Sequence, residues 1–295
     1  MFDPYNKNKG TGVPVQLMLN LEMAKQVQVQ NLFDYPVKSL AGVATQSLTV
    51  DGEGRALGDR VLAFRFNDSG PAMRQTSQGG WWYKDRLLSL MHIPAAAPVS
   101  CEFDGQSTVL SLRLGDRIIA EGEIGSAEGR TKIEQSFERF LKDLSGDSAI
   151  DQNRFPIHLE GDGVSGRFHD RPAGQISMHS VESGVALSNA IGESPLMEQR
   201  FRSNVVIRGL HPWQELELIG STITIGASRY EVTGPIIRCR AVHANPSTGL
   251  VDQQILRVLT KEFGQEEPTF GVLLKPIGQE AVIHVGDVVE VGSSA

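Results

Sequence analysis

Cysteine is scarce in this chain, with only Cys101 and Cys239 among its 295 residues. Two cysteines in unlike sequence surroundings cannot form a disulfide scaffold, so we expect a reducing compartment and a cytoplasmic protein. No apolar run approaches the length of a membrane span, and the polar segment from Met1 to Gly12 lacks signal-peptide character. A positive charge excess is also absent, because the net charge is −7 and the pI is about 5.6. These features predict no membrane span and no nucleic acid partner.

The composition is that of a globular protein, with 40% hydrophobic and 21% charged residues. Short apolar segments separated by turn residues fill roughly the first 125 positions, and a mixture of strand and helix patterns follows. We therefore predict an α/β protein that is mostly β. Its expected parts are a partly disordered N-terminal extension at 1–26, a β-rich domain at 27–147 and a second domain at 148–295.

Helical periodicity is clearest from Thr131 to Leu144, where Thr131 and Glu134 have the spacing of a capping box. Ser180 is predicted to cap a second helix and Asp252 a third. Three glycines around position 163 fit the dinucleotide-binding pattern G-x-G-x-x-G. That pattern requires a helix directly after it, and Pro172 follows instead, so we reject a dinucleotide site there.

Cys239 is the first candidate for chemistry, because it lies between Arg238 and Arg240 on a short segment that we predict to be a strand. Positive charge on both sides favours the thiolate, which is a nucleophile and a ligand for soft metals. The alternative is a buried cysteine that acts as a small hydrophobic residue. No histidine or cysteine pair has zinc-finger or H-E-x-x-H spacing.

Further polar candidates stand where predicted strands begin or end. They are Lys38 and Ser39 after Tyr35-Pro36, Arg60 after Gly58-Asp59, Arg202 and Asn204 before an apolar run, and His179 with Ser180 at a strand-to-helix junction. Lysine, arginine and a helix N-terminus suit an anionic group. For a lysine in a loop, the alternative is a solvated side chain with no ligand.

Four segments together resemble the MOSC family, which is related to the C-terminal domain of molybdenum cofactor sulfurase. The segments are Tyr35-Pro36-Val37-Lys38-Ser39, Gly58-Asp59-Arg60, Phe201-Arg202-Ser203-Asn204, and Arg238-Cys239 with Asn245-Pro246-Ser247-Thr248-Gly249 and Val285-Gly286-Asp287. The branch that includes the mitochondrial amidoxime-reducing component, with its extra N-terminal β-barrel domain, is the most similar. The resemblance extends from about Val27 to Val291.

The resemblance implies an N-terminal MOSC domain followed by a MOSC β-barrel with flanking helices. It also implies a molybdenum cofactor, with Cys239 as catalytic residue and metal ligand. The residues that match cofactor-binding positions are Lys38, Ser39, Arg60, His179, Ser180, Arg202, Asn204 and Arg238. Pyridoxal phosphate binding is a further property that we associate with the family.

The function implied by the resemblance is an oxidoreductase that reduces N-hydroxylated small molecules. Its electrons would come from a separate flavoprotein, ferredoxin or cytochrome, because these 295 residues hold no iron–sulfur cysteine cluster. Two alternatives stay open. Cys239 could carry a persulfide in sulfur transfer, or the protein could carry the cofactor without catalysis. The sequence departs from the family at Gln75 to Leu87 and at Ile237, which puts pocket residues from those positions in doubt.

Overall fold

The computed structural model of the protein describes residues 26–67, 73–76, 79–82, 84–104, 108–144, 149–192 and 196–291. The predicted N-terminal extension lies almost entirely outside these ranges. The described strands, in chain order, are β1 (Gln28–Asp34), β2 (Val43–Thr45), β3 (Ser47–Asp51), β4 (Ala63–Phe66), β5 (Met73–Thr76), β6 (Gly79–Trp82), β7 (Ser100–Asp104), β8 (Val109–Leu114), β9 (Arg117–Glu123), β10 (Ile157–Glu160), β11 (Ile176–Ser180), β12 (Val205–Arg208), β13 (Thr222–Ile225), β14 (Ser228–Ile237), β15 (Thr269–Pro276), β16 (Glu280–His284) and β17 (Val289–Val291). The helices are α1 (Ala127–Lys142), α2 (Val181–Ile191), α3 (Gln214–Glu217) and α4 (Ile255–Lys261). The fold is α/β and mostly β, as predicted.

The largest sheet has eight strands in the order β17-β13-β14-β15-β11-β12-β1-β2. Only β11 and β12 are parallel, because helix α2 forms the crossover between them. All five residues of β11 are buried, as expected of a central strand that is covered on both faces. The site described below is built at the ends of these central strands.

The second domain was expected to be a β-barrel. In the described residues, continuous strand pairing does not close the barrel, so this expectation is corrected. The eight-stranded sheet is open in its ladder order. An isolated bridge between Gln28 and Val288 links β1 to the segment before β17. Backbone hydrogen bonds from Val29 to Asp287 and from Val289 to Val27, both 2.8 Å, extend this link. The sheet therefore curls until β17 and the segment before it meet the start of β1 through a few hydrogen bonds.

Residues between Val29 and Ala56 contribute to the same core as the C-terminal strands. Strand β3 pairs with β16, and the alternation of buried and exposed residues on both strands directs Leu48, Val50, Ala281 and Ile283 inward. A second core lies between β4, β7 to β10 and helix α1, where the rings of Phe64 and Phe137 have centroids 4.5 Å apart. The domain boundary near residue 147 stays a prediction.

Helix α1 begins earlier than predicted, so the capping box at Thr131 is wrong. The N-cap is Ser126, whose hydroxyl accepts a hydrogen bond from the amide of Gly129 at 3.0 Å. Thr131 lies inside the helix and donates to the carbonyl of Ala127. Glu134 instead accepts from the amide of Leu159 at 2.8 Å, joining the helix to β10. The sequence pattern located the apolar face but not the helix start, because two hydroxyl residues competed for the cap.

The helix caps predicted at Ser180 and Asp252 have different outcomes. Ser180 is the N-cap of α2, and its hydroxyl accepts from the amide of Ser183 at 3.1 Å. Asp252 does not cap α4, whose N-cap residue is Gln254 without a side-chain hydrogen bond. The carboxylate of Asp252 pairs with Arg200 at 2.8 Å instead. A charged partner from a distant segment has taken the place of the local cap.

Candidate functional site

A cavity of about 540 Å³ opens where the ends of β11, β12 and β14 approach the loops after β1 and before β4. The candidate residues that it collects come from four separate parts of the chain. Seven of the nine candidate residues line it, namely Lys38, Ser39, Arg60, Arg202, Asn204, Arg238 and Cys239. His179 and Ser180 do not. This volume is in the range of a binding site for a small molecule or cofactor.

Three residues of the cavity wall have left-handed backbone conformations. Their φ angles are 68° at Ser39, 51° at Arg60 and 52° at Arg202. Side chains other than glycine rarely adopt this region, because the Cβ atom approaches the following carbonyl. Strain of this kind is retained where the surrounding structure fixes it, often at functional sites. The strained backbone directs two guanidinium groups toward one cavity.

Arg60 is held by a buried carboxylate. Its Nη1 donates to Oδ2 of Asp59, and its Nη2 donates to the carbonyl of Arg202 at 3.1 Å. Burial alone raises the pKa of Asp59, but the Arg60 charge and a hydrogen bond with His169 outweigh it and hold this pKa below its usual range. The Arg60 and Arg202 guanidiniums also lie 4.8 and 4.4 Å from the ring centre of Tyr35. Arg60 is therefore a fixed charge in the wall.

Arg202 is only partly satisfied. Its Nη1 donates to the carbonyl of Leu40, whereas its buried Nη2 has no hydrogen-bond partner in the described part of the chain. Burial, together with the nearby Arg60 charge, lowers the pKa of Arg202 to about 10, so the side chain stays charged at neutral pH. A buried donor without a partner costs free energy unless a ligand or water supplies an acceptor.

Arg238 is anchored by main-chain carbonyls. Its Nε and Nη1 donate to the carbonyls of Phe270 and Phe201, both at 2.7 Å, and burial lowers its pKa to about 10. Gly271 allows this approach, because it has a φ of +79° and a Cβ there would be 3.3 Å from Nη2 of Arg238. Arg202 and Arg238 form no ion pair with any described residue. Two half-buried arginines thus lack a carboxylate partner among the residues that the structure describes.

Lys38 has an acidic partner. Its Nζ donates to Asp170 at 2.6 Å and to the carbonyl of Phe168 at 2.8 Å. Burial lowers the pKa of Lys38, whereas the Lys38 charge lowers that of Asp170. Beside it, the hydroxyl of Ser39 donates to the carbonyl of Leu88 at 2.9 Å. Both side chains line the cavity, and each already has a partner within the protein.

Cys239 stands just beyond the end of β14, not on a strand as predicted. It is half-buried and precedes a short 3₁₀ turn at Arg240–His243. Arg238 lies in the cavity, whereas Arg240 is exposed to solvent. Cys101 lies on β7 in the second core, and burial raises the pKa of its thiol to about 11. Of the two cysteines, only Cys239 presents its side chain to the cavity.

The candidates Asn204, Ser180 and His179 have contacts within the protein that stabilise the fold. The side-chain carbonyl of Asn204 accepts from the amide and hydroxyl of Ser177, both at 3.2 Å, and its amide nitrogen donates to the carbonyl of Phe33 at 3.3 Å. Asn204 thus joins β12 to β11 and β1 while it lines the cavity. Ser180 donates its hydroxyl to the buried carboxylate of Glu215 at 3.1 Å. His179 is buried between aromatic rings.

Several residues that line the cavity belong to none of the four motif segments. They are Lys84, His169, Asp170, Arg171 and Arg200. His169 and Asp170 lie in the loop between β10 and β11, and Lys84 lies in the segment that departs from the family pattern. Arg200 was visible beside Arg202, but its ion pair with Asp252 depends on tertiary contacts. Trp82, from the same departing segment, packs on Phe168 with ring centroids 5.9 Å apart.

The electrostatics of the cavity are opposite to those of the whole chain. Among the described residues, seven lysine or arginine side chains and one acidic side chain, Asp170, line it, although the net charge of the protein is −7. The described residues contain no group of three or more His, Cys, Asp or Glu side chains able to hold a metal ion. The arrangement is suited to an anionic ligand. A metal at Cys239 would need further donors from such a ligand.

Comparisons with known proteins point to one family. Residues 165–290 match the model of the MOSC domain. The chain is 33% identical over 95 residues to the molybdenum cofactor sulfurase of Caenorhabditis briggsae, which is 32% of this chain and 13% of that protein. It is 33% identical over 82 residues to the molybdenum cofactor sulfurase of Anopheles gambiae, covering 28% of this chain and 10% of that protein. The matches thus span only about a tenth of these relatives. They support a link to the molybdenum cofactor and give no support for pyridoxal phosphate binding.

Solved structures give weaker similarities. The YUAD protein from Bacillus subtilis aligns with a TM-score of 0.45 at 13% identity, covering 92% of this chain and 97% of that one. YiiM from Geobacillus stearothermophilus aligns with a TM-score of 0.30 at 20% identity, covering 40% and 54% of the two chains. No helix among the described residues is long and apolar enough to cross a bilayer. On the sequence matches, this chain carries a MOSC domain at residues 165–290 and is related to molybdenum cofactor sulfurases.

Proposed function

We propose that the cavity binds a molybdenum cofactor, that Cys239 is the protein ligand of the metal, and that the protein reduces N-hydroxylated small molecules. The observation that supports the proposal best is the pair of half-buried arginines, Arg202 and Arg238, which lack a counter-ion among the described residues. They lie in the same cavity as the thiol of Cys239. An anionic pterin phosphate with a bound soft metal would match both features.

The residues present fit this group. Nη2 of Arg202 needs an acceptor, and a phosphate or pterin oxygen would provide one. Arg60 and Lys38, each fixed by a carboxylate, would add positive charge without having to reorganise. Cys239 supplies the only thiol of the cavity wall. When bound, the cofactor would supply a metal centre that accepts and passes on two electrons.

The net reaction is balanced by two electrons and two protons, which convert an N-hydroxyl group into an N–H group and water. The electrons come from a separate electron-transfer protein in this proposal, because the chain has no nucleotide fingerprint in the right context and no iron–sulfur cysteine set. Such redox encounters are usually small and guided by charge. The cationic cavity would meanwhile keep the anionic cofactor bound.

The test is elemental analysis of protein made in a host that synthesises the cofactor. We expect one molybdenum per chain in the wild type, and loss of metal and of reductase activity with an artificial donor in Cys239→Ser. Cys101→Ser is the matched control, and it should keep its metal although a hydroxyl in the core lowers stability. Equal loss in both variants, or wild-type protein without molybdenum, would refute the proposal.

Sulfur transfer is the second candidate, and the names of the curated relatives favour it. Here Cys239 would carry a persulfide. Sulfur that is released by cyanide from the wild type but not from Cys239→Ser, in protein without molybdenum, would select this candidate. A cofactor carrier would contain molybdenum and pterin yet stay inert toward N-hydroxylated substrates under a strong artificial donor.

A further inference from the structure

A side cavity of about 170 Å³ adjoins the first cavity, which is the one that contains Cys239. The two cavities share a wall formed by Leu90, Arg200, Arg202 and Ala241. Ala241 follows Cys239 by two positions, so the Cα atoms of these two residues are at most about 7 Å apart. The common wall therefore lies close to the thiol that we propose as the metal ligand.

The walls of the two cavities differ in polarity. Among the described residues, seven lysine or arginine side chains line the first cavity. The side cavity is lined mainly by small apolar residues, namely Ala41, Leu90, Ala97, Ala241, Ala244 and Pro246. Charge on a ligand is therefore favoured in the first cavity, whereas an apolar group gains free energy by leaving water for the side cavity.

Close backbone packing keeps the side cavity open. Gly249 has a φ of +70°, and a Cβ there would be 2.7 Å from the Cα of Ala95, so the loop 244–249 packs directly on the segment before β7. The amide of Ala41 donates to the carbonyl of Val99 at 2.9 Å and joins a third segment to these two. A cavity whose walls are fixed in this way needs little reorganisation to accept a ligand.

The common wall contains a buried donor without a partner. Arg200 is 5% exposed, and its Nη1 and Nη2 donate to the carboxylate of Asp252 at 2.8 and 3.2 Å. Its Nε has no hydrogen-bond partner in the part of the chain that the structure describes. Such a donor costs free energy until an acceptor reaches it. A ligand that spans the common wall can supply that acceptor.

We propose that the side cavity binds the apolar substituent of the substrate, while the N-hydroxyl group of the same molecule lies in the first cavity near Cys239. The inference rests on the proposed reductase function. It narrows the substrate class to N-hydroxylated compounds with a compact apolar substituent and a hydrogen-bond acceptor beside it. An apolar cavity of about 150 Å³ can hold benzene. The side cavity, at about 170 Å³, therefore takes a group of about the size of a phenyl ring.

The two apolar residues of the common wall define the entrance. Hydrogen bonds hold both arginines of this wall in place. Ala241 has only a methyl group, and the side chain of Leu90, which is 7% exposed, can change its rotamer. The substituent therefore enters between Leu90 and Ala241. A group wider than one ring meets the closely packed backbone behind them.

The first test uses cofactor-free protein, so it does not depend on the proposed function. The methionine methyl groups are labelled with ¹³C, and benzene is added as the probe in an NMR titration. Met197 lies in the wall of the side cavity and Met91 in the wall of the first, whereas Met178 is buried in the core. We expect a saturable shift of the Met197 resonance and none of the Met178 resonance.

Variants show whether the shift reports the side cavity. Ala244→Leu places three more carbons in it and should abolish the Met197 shift, and Ala244→Val should weaken it if the leucine variant does not fold. Ala227→Leu, at an exposed hairpin position outside both cavities, is the matched control and should keep the shift. A wild-type Met197 resonance that does not respond to benzene, or that responds equally in the Ala244 variants, would overturn the proposal.

The second test compares two substrates on metal-loaded protein with an artificial donor. They are N-hydroxylated compounds that differ only in carrying a methyl or a phenyl substituent. The ratio of kcat/KM for the phenyl compound to that for the methyl compound should fall roughly tenfold in Ala244→Leu, through a higher KM for the phenyl compound. The ratio in Ala227→Leu should equal that of the wild type.

The outcomes separate this inference from the proposed function. An unchanged ratio in Ala244→Leu would refute the assignment of the side cavity to the substituent. Wild-type protein that contains molybdenum but is inert toward both compounds would refute the proposed function and, with it, the substrate assignment. The benzene titration would then still decide whether the side cavity binds an apolar ring.

Discussion

Replacement of His179 by phenylalanine should make the fold less sensitive to acid. The imidazole is 1% exposed and lies between Phe201 and Phe270, with ring centroids 5.6 and 5.2 Å away. Its Nδ1 has no hydrogen-bond partner among the described residues. Burial, and to a lesser extent the charge of Arg238, lowers its pKa from 6.5 to about 3. His179 is therefore buried in its neutral form.

The direction in which stability changes with pH follows from proton linkage. Between about pH 6.5 and pH 3 the unfolded chain binds a proton at this histidine and the folded chain does not, so stability falls as the pH falls through this window. At pH 5 the loss from this one group is roughly 2 kcal/mol relative to pH 8. Phenylalanine cannot titrate. Between pH 8 and pH 5, the free energy of unfolding of His179→Phe should therefore fall by that amount less than the free energy of unfolding of the wild type.

Urea unfolding at pH 8 and pH 5 measures this difference. The larger ring costs about 1–3 kcal/mol through overpacking at both pH values, so the comparison uses the change with pH and not the absolute stability. His211→Phe, at an exposed position, controls for the type of substitution. If His179→Phe and the wild type lose the same free energy of unfolding between pH 8 and pH 5, the buried neutral histidine is refuted. Retained molybdenum in His179→Phe would agree with its position outside the cavity.

Three further predictions concern a buried amide, a helix cap and the electron supply. Asn204→Ala should lower the free energy of unfolding by about 2–4 kcal/mol in urea titrations, because it leaves the amide of Ser177 and the carbonyl of Phe33 without their partner; a change below 0.5 kcal/mol would contradict this. Ser126→Ala should cost about 1 kcal/mol through loss of the α1 cap, and Ser126→Asp should restore most of it. The purified protein should not oxidise NADH with any N-hydroxylated substrate, as followed at 340 nm; turnover without an added electron carrier would contradict the need for a partner.

The sequence by itself determined the features that depend on near neighbours. The N-cap at Ser180 and the hairpin of β13 and β14 around Gly226 were predictable, since each depends on residues within one turn. The apolar face of α1 was predictable from its period, whereas its start was not. The motif order also identified Cys239, Arg202 and Arg238 as candidates before any geometry was known.

Only the tertiary structure decided which candidates meet. Lys38, Arg60 and Arg202 are separated by up to 164 positions, and the pairing of β1 with β12 brings their loops to one cavity. The pairing of β11 with β12 and the rings of Phe201 and Phe270 bury His179 outside that cavity. The contact of Asp59 with His169 spans 110 positions and leaves no periodic trace in the sequence. Local patterns report backbone preferences, whereas a site built from distant loops depends on strand register and on the burial of charge, which only the complete fold sets.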